Sequence, residues 1–179
     1  LLALRIAIPL FFRDPDRSVP RDPLIVLAPA DGRVMHAGDA RPDEAPPGRW
    51  QQVSIFLSLL DVHINRTPVP GRVTRVDYVP GSAMPAYRPD AHRNEHSEIW
   101  LEHDGQVVVT RQVVGVLARR VVCRVSPGER LEAGARIGLM KFGSRMDVFV
   151  PITATIMVSR GQHVTAGETI IARLASESA

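Results

Sequence analysis

The stretch Pro127-Gly128-Glu129-Arg130-Leu131-Glu132-Ala133-Gly134 returns in altered form as Arg160-Gly161-Gln162-His163-Val164-Thr165-Ala166-Gly167. Both read Gly-x-x-Leu/Val-x-Ala-Gly, and each runs on into an Ile-containing, strand-like segment. A corner used twice points to a quasi-symmetric β-sandwich or barrel assembled from similar hairpins. The rest of the chain agrees. Fifteen prolines and thirteen glycines cut its 179 residues into short pieces, and no helical period runs through the middle. Val, Ile and Leu are plentiful while aromatics make up 5%, a composition suited to packed strands. The expected fold is mainly β (β-rich α+β), an antiparallel sandwich or barrel-sandwich hybrid with few short helices.

Strands are expected over Leu24–Ala28, Gly32–Ala37, Val53–Leu60, Arg72–Val79, Glu98–Glu102, Gln106–Arg111, Val113–Ala118 and Val121–Val125. Val53–Leu60 is nearly all apolar, which predicts burial on both faces. Ser82 to Ser97 is the longest irregular stretch, and a loop of that length in a compact domain is commonly functional. The first twelve residues, LLALRIAIPLFF, are too short to span a bilayer, which needs roughly 20 apolar residues, yet the charged run Phe12–Arg17 follows as at a membrane–water boundary. Residues 1–12 are therefore read as a membrane-associating segment and 13–179 as one domain.

Composition excludes several classes. The net charge of +3 is almost entirely arginine, with Lys141 the only lysine, and neither a dense basic run nor an RNA-binding aromatic motif is present, so nucleic acid is not an expected partner. Guanidinium groups suit phosphate or carboxylate ligands instead. The single cysteine, Cys123, sits in an apolar run and reads as a buried thiol. The chain lacks H-E-x-x-H and C-x-x-C, so no metal site is expected, although His92, His96 and His103 lie along the long loop and the strand after it. His36 and His163 occupy turn-like contexts and are read as facing solvent.

The chemistry gathers around Phe142-Gly143-Ser144-Arg145-Met146-Asp147. A Gly-Ser bond between strand-like runs can break itself: glycine has no Cβ to crowd its carbonyl, and the following hydroxyl can attack it. An N→O acyl shift gives an ester, elimination leaves dehydroalanine, and hydrolysis yields a pyruvoyl group. By itself Gly-Ser is an ordinary turn dipeptide, so partners are needed. Asp31 lies in the turn Pro29-Ala30-Asp31-Gly32, and Asp61, His63 and Asn65 follow the apolar Val53–Leu60 run at a spacing that puts them on one strand face.

Together these pieces resemble the phosphatidylserine decarboxylase proenzymes in their short form. The resemblance rests on Phe12–Arg17, Pro29-Ala30-Asp31-Gly32-Arg33-Val34, Leu60–Arg66 with Pro68 and Gly71, Tyr78-Val79-Pro80-Gly81, Asn94-Glu95, and Phe142–Asp147 with Pro151, in that order. It implies cleavage between Gly143 and Ser144 into a β chain of 1–143 and an α chain of 144–179. The two would form a heterodimer, open to further oligomerisation, with a pyruvoyl cofactor derived from Ser144. It further implies that Asp31, His63 and Ser144 form the self-processing triad and that His63 donates the proton after decarboxylation of phosphatidylserine to phosphatidylethanolamine. Arg145, Arg66, Asn94 and Glu95 are the expected substrate-binding residues. A cell-membrane location follows, peripheral or N-terminally anchored, on the cytoplasmic side of a bacterial membrane. The chain departs from the family's pattern at Arg66, where longer relatives carry a second histidine, and at His96, where arginine is usual.

A carrier of biotinyl or lipoyl type is the alternative. Met140-Lys141 resembles its modified lysine at a hairpin tip, and Ile156–Leu174 resembles its second half, which predicts lipoyl/biotinyl-like hairpins at the C-terminal end. A carrier needs far less chain, and it leaves Asp31, Asp61 and His63 without a role.

Overall fold

A computed structural model describes residues 13–116, 121–140 and 143–176. The apolar segment 1–12 and Lys141 lie outside these residues. The fold is mainly β, with curled antiparallel sheets forming a half-barrel. Its strands are β1 (Ile25–Leu27), β2 (Gly32–Asp39), β3 (Trp50–Leu57), β4 (Ile64–Arg66), β5 (Gly71–Val79), β6 (His96–His103), β7 (Gln106–Val113), β8 (Val122–Cys123), β9 (Arg130–Leu131), β10 (Arg136–Leu139), β11 (Ser144–Pro151), β12 (Thr155–Ile156), β13 (His163–Val164) and β14 (Ile170–Arg173). The one helical element among the described residues is a 3₁₀ turn, Pro89–Arg93.

The large sheet runs β13-β2-β3-β11-β7-β6-β5-β9, and two small sheets run β1-β14-β12 and β4-β10-β8. This order is its own mirror, which makes the echo of the two corners a pseudo-two-fold axis. β9 docks on the start of β5 (Gly71 with Leu131) as β13 docks on the start of β2 (Gly32 with Val164). Val34 N donates to Gln162 O at 2.9 Å and Val73 N to Glu129 O at 2.8 Å; Leu174 N donates to Leu24 O and Met140 N to His63 O. Chain order then matches β1-β2-β3 with β4-β5-β6, and β7 to β10 with β11 to β14. Under this match Ser144, opposite Leu57, is the mate of Gln106, opposite His103.

Alternating residues of the large sheet build the core from one face, with Val53, Ile55 and Leu57 of β3, Met146 and Val148 of β11 and Ile99 and Leu101 of β6. The other face is polar yet buried. Gln52, Ser54, Arg111, Arg145 and Asp147 stand there beneath the loops around Glu44 and Tyr87. Glu44 accepts from Gln52 and Tyr87 packs on Phe56, so the second face of β3 is covered as well, which explains its burial on both faces.

Several expected boundaries shift. The strand expected at Val53–Leu60 starts earlier and stops at Leu57, because Asp61 Oδ2 accepts from both the amide and the hydroxyl of Ser58 at 2.7 Å and turns the chain. Leu59 and Leu60 are consequently exposed. The single strand β7 crosses the division expected between Arg111 and Val113 and ends at Val113; residues 117–120 lie outside the described part. In the Ser82–Ser97 stretch, Asn94 holds the loop shut, with Oδ1 accepting from Met84 N (2.9 Å) and Nδ2 donating to Met84 O (2.7 Å) and Val114 O (2.8 Å).

Candidate active site

Ser144 is fully buried at the first position of β11, a strand paired on both sides, by β3 and β7. Its side chain shares the core face with Met146. Gly143 before it has φ +70°, and nothing lies within 4 Å of the position a Cβ would take. The bond between them therefore enters the sheet from a left-handed turn with open space beside the glycine. Asp31 immediately precedes β2, whose first residues face the end of β3. Adjacent strands lie about 4.8 Å apart, so the ends of β2, β3 and β11 bring Asp31 and Ser144 to one rim. Gly32 is obligatory here, because a Cβ would stand 2.1 Å from Phe56 O.

His63 reaches the same rim from β4. Its carbonyl accepts from Met140 N at 3.1 Å, which ties it to the run leading into Gly143. Its side chain is buried, with Nδ1 2.8 Å from the backbone oxygen of Asp61. A carbonyl only accepts, so Nδ1 carries the proton and the lone pair resides on Nε2. Burial lowers the imidazole pKa below its ordinary value, against the opposing pull of the Asp61 and Asp31 charges. His63 is thus a neutral base near pH 7, oriented by the turn that Asp61 caps. Asn65, two residues on, shares its face and accepts from Gln112 Nε2 at 2.9 Å inside the core.

Asp31 is held otherwise than a Ser-His-Asp relay supposes. Arg17 Nη2 lies 2.9 Å from both its carboxylate oxygens, and Ala166 N donates to Oδ1 at 2.8 Å. Asp31 influences His63 by its charge, and the Nδ1 acceptor is the Asp61 carbonyl.

The expected substrate-binding residues occupy other places. Arg145 is 2% exposed and projects to the face opposite Ser144, where it pairs with Asp147 Oδ2 (2.9 Å) and Glu44 Oε2 (3.2 Å). Burial opposes its charge, yet Asp147 and Glu44 raise its pKa above the ordinary guanidinium value. Arg66 alternates away from His63 and Asn65; it donates to Gly134 O (3.0 Å), Asp14 Oδ1 (2.9 Å) and Pro15 O (3.2 Å), tying the N-terminal strap to the first corner. Both arginines are engaged by partners within the protein. Asn94 spends both amide hydrogens on the backbone. Glu95 is half-buried beside it, with its backbone paired to Ser82 and Val114. His96 donates through Nδ1 to Asn94 O at 2.7 Å and joins the Arg111, Glu98 and Asp147 charges on the opposite face.

Sequence reading missed Arg17, the Asp61 carbonyl and the Asn65–Gln112 pair. Arg17 was visible within Phe12–Arg17, but nothing in its spacing indicated Asp31. Among the described residues no cluster of His, Cys, Asp and Glu could hold a metal ion. No helix among them is long and apolar enough to cross a membrane.

Comparison of the sequence with known proteins places the chain in a family. The family model for phosphatidylserine decarboxylase matches residues 5–172. A phosphatidylserine decarboxylase proenzyme of Symbiobacterium thermophilum is 44% identical over 97% of this chain and 82% of its own length. Proenzymes of the same name from Chlorobium chlorochromatii and Chlorobium phaeovibrioides are 44% and 46% identical, over 91% and 93% of this chain and 77% and 76% of theirs. A chain matched over nearly its whole length, with Ser144, His63 and Asp31 at one rim of a half-barrel, belongs to the phosphatidylserine decarboxylase family of carboxy-lyases.

Proposed function

We propose that this protein decarboxylates phosphatidylserine to phosphatidylethanolamine after cutting itself between Gly143 and Ser144. Residues 13–179 form the decarboxylase domain, divided by the cut into a β chain ending at Gly143 and an α chain beginning at residue 144. The two chains remain together as a heterodimer. The observation that carries this reading is an asymmetry within a symmetric scaffold. The rim that holds Ser144, His63 and Asp31 has a pseudo-two-fold mate, and there the same three positions are Gln106, Leu24 and Pro70. One scaffold is used twice, and serine, histidine and aspartate take these three positions at one rim only.

The chain's own residues supply the processing step. His63 Nε2 accepts the proton of the Ser144 hydroxyl, and Oγ attacks the Gly143 carbonyl carbon. The Gly143–Ser144 C–N bond breaks as the ester forms, and the proton returns to the freed amine. Loss of the residue-144 α proton then breaks the ester C–O bond. Gly143 leaves as a carboxylate, and residue 144 becomes dehydroalanine, which hydrolyses to pyruvoyl with release of ammonia. Gly143 suits this sequence, since open space lies where an approaching hydroxyl needs it. The buried position of residue 144 suits the product, because a reactive ketone there is kept from bulk water. The pyruvoyl group supplies an electron sink for the carbon–carboxylate bond. His63, whose Nδ1 proton is held by the Asp61 carbonyl, takes up at Nε2 the proton that the substrate ammonium sheds and delivers it to the α carbon once CO2 has left. Asp31, fixed by Arg17, stabilises the imidazolium that forms in passing. The lipid substrate implies association with the cell membrane, on the cytoplasmic side.

Intact-mass measurement of the purified chain tests the reading. Two fragments are expected, the smaller beginning at residue 144 with a blocked amino terminus, together with release of CO2 from phosphatidylserine. An uncut chain that turns over phosphatidylserine, or a cut chain inert toward it, refutes the mechanism or the substrate respectively.

A further inference from the structure

Nine large apolar side chains are exposed among the described residues, and six of them gather at one end of the eight-stranded sheet. Leu59 and Leu60 follow the last residue of β3, Tyr78 and Val79 finish β5, Val116 lies beyond β7, and Tyr87 stacks edge-on against Phe56 of β3. This is the end at which β11 begins with Ser144. Leu60 is the most exposed of the six, at 75%, with Leu59 beside it at 54%. Its backbone is rigid, pinned by Asp61 on Ser58 and by Arg13, whose Nη2 donates to Leu60 O at 2.7 Å. A hydrogen-bonded tip thus carries two bare leucines, and grouped apolar exposure marks an interaction surface.

Two further observations select the occupant. Arg33, Arg88 and Arg93 are exposed at this end against the half-buried Glu95 and the partly exposed Asp90 that pairs with Arg88, whereas the carboxylates of Asp31 and Asp61 are sunk to 15% and 13% exposure. The surface therefore offers apolar tips among cations, complementary to an anionic lipid interface. Arg13, which donates to the Leu60 carbonyl, is preceded in sequence by the apolar LLALRIAIPLFF.

We propose that the Leu59-Leu60 tip inserts into the interface of an anionic phospholipid bilayer and sets the Ser144 rim against the headgroups. The proposal rests on the decarboxylase reading for the reason that this end faces lipid, and its decisive measurement involves no turnover.

Leu60→Trp in the full chain, mixed with vesicles of phosphatidylglycerol and phosphatidylcholine, should shift its tryptophan emission to the blue, beyond any shift of the parent protein. Acyl-chain-brominated lipid should quench the added emission. Leu59→Asp with Leu60→Asp should weaken vesicle binding at least tenfold and lower turnover of phosphatidylserine in vesicles by a similar factor. Self-cleavage, and turnover of a water-soluble short-chain phosphatidylserine, should be unchanged. Ile152→Asp, beyond the far end of β11, should bind as wild type. Unshifted, unquenched emission from the Leu60→Trp variant at saturating vesicles, or equal loss from Ile152→Asp, overturns the proposal. A protein that binds vesicles through the tip but decarboxylates neither lipid refutes the substrate and leaves the surface established.

Discussion

A single guanidinium nitrogen of Arg17 lies 2.9 Å from both carboxylate oxygens of Asp31. The pair is 9% and 15% exposed, so solvent screens it weakly. It joins the N-terminal strap to the rim of the large sheet. Arg17→Ala should release the carboxylate to rotate and slow self-cleavage tenfold or more, while lowering stability by about 1–3 kcal/mol, as for a charge-assisted hydrogen bond lost. Rescue of the cleavage rate by Arg17→Lys would separate charge from fork geometry. Cleavage as fast as wild type in Arg17→Ala would remove Asp31 from the reaction.

Burial holds both His63 and His96 below the ordinary imidazole value, more strongly than their carbonyl partners raise them. In the unfolded chain each titrates near 6.5. Above that pH neither state binds the proton, and the stability is fully present. As pH falls below about 6.5 the unfolded chain takes up protons that the folded chain refuses, so stability drops until the folded-state values are passed. Thermal midpoints measured from pH 8 to 5 should fall on the acid side, and His96→Gln should flatten that slope. The acid limb of the self-cleavage rate should lie below the free-imidazole value, because His63 stays neutral there.

Gly143→Ala isolates the backbone. The added Cβ meets nothing, so the cost is conformational and should be about 1–2 kcal/mol for a non-glycine residue at φ +70°. The variant should fold, with a modestly lower denaturation midpoint, and cut itself more slowly than the parent by mass analysis over time.

Arg145→Ala separates structure from binding. Removing it leaves Asp147 buried without its cation and Glu44 with Arg41 alone, a loss of about 3–5 kcal/mol. The urea midpoint should collapse, and any surviving processed protein should keep its KM for phosphatidylserine. A raised KM at unchanged stability would instead place Arg145 on the lipid phosphate.

Much of this was legible in the residues. The paired corners predicted the quasi-symmetric β fold because glycines at turns and apolar residues beside them act locally. The His63 and Asn65 face was legible for the same reason, since period two follows from the pleat. The side of the sheet that Arg145 takes was legible too, since a strand sends it and its neighbour Ser144 to opposite faces, but its partner Glu44 lies far along the chain. Arg66 and Arg17 were beyond reach, because their partners lie far along the chain and only the curled sheet brings them near. Asp61 was read as a side chain on the His63 face, yet the side chain caps a turn and the carbonyl does the orienting.

The place of β11 has a consequence for life after the cut. β11 is clamped between β3 and β7, with eight residue pairs along β3, and β12 and β14 close on β1. Severed at Gly143, the short chain keeps edge strands at β12 and β13, but β11 itself has no edge from which to peel away. It can depart only if the sheet opens along its middle. The processed enzyme should therefore behave as one body at any dilution while it stays folded. Once denatured it is two molecules that must find each other again, so refolding turns from first order to second order in protein, and maturation makes the fold easy to keep and hard to regain.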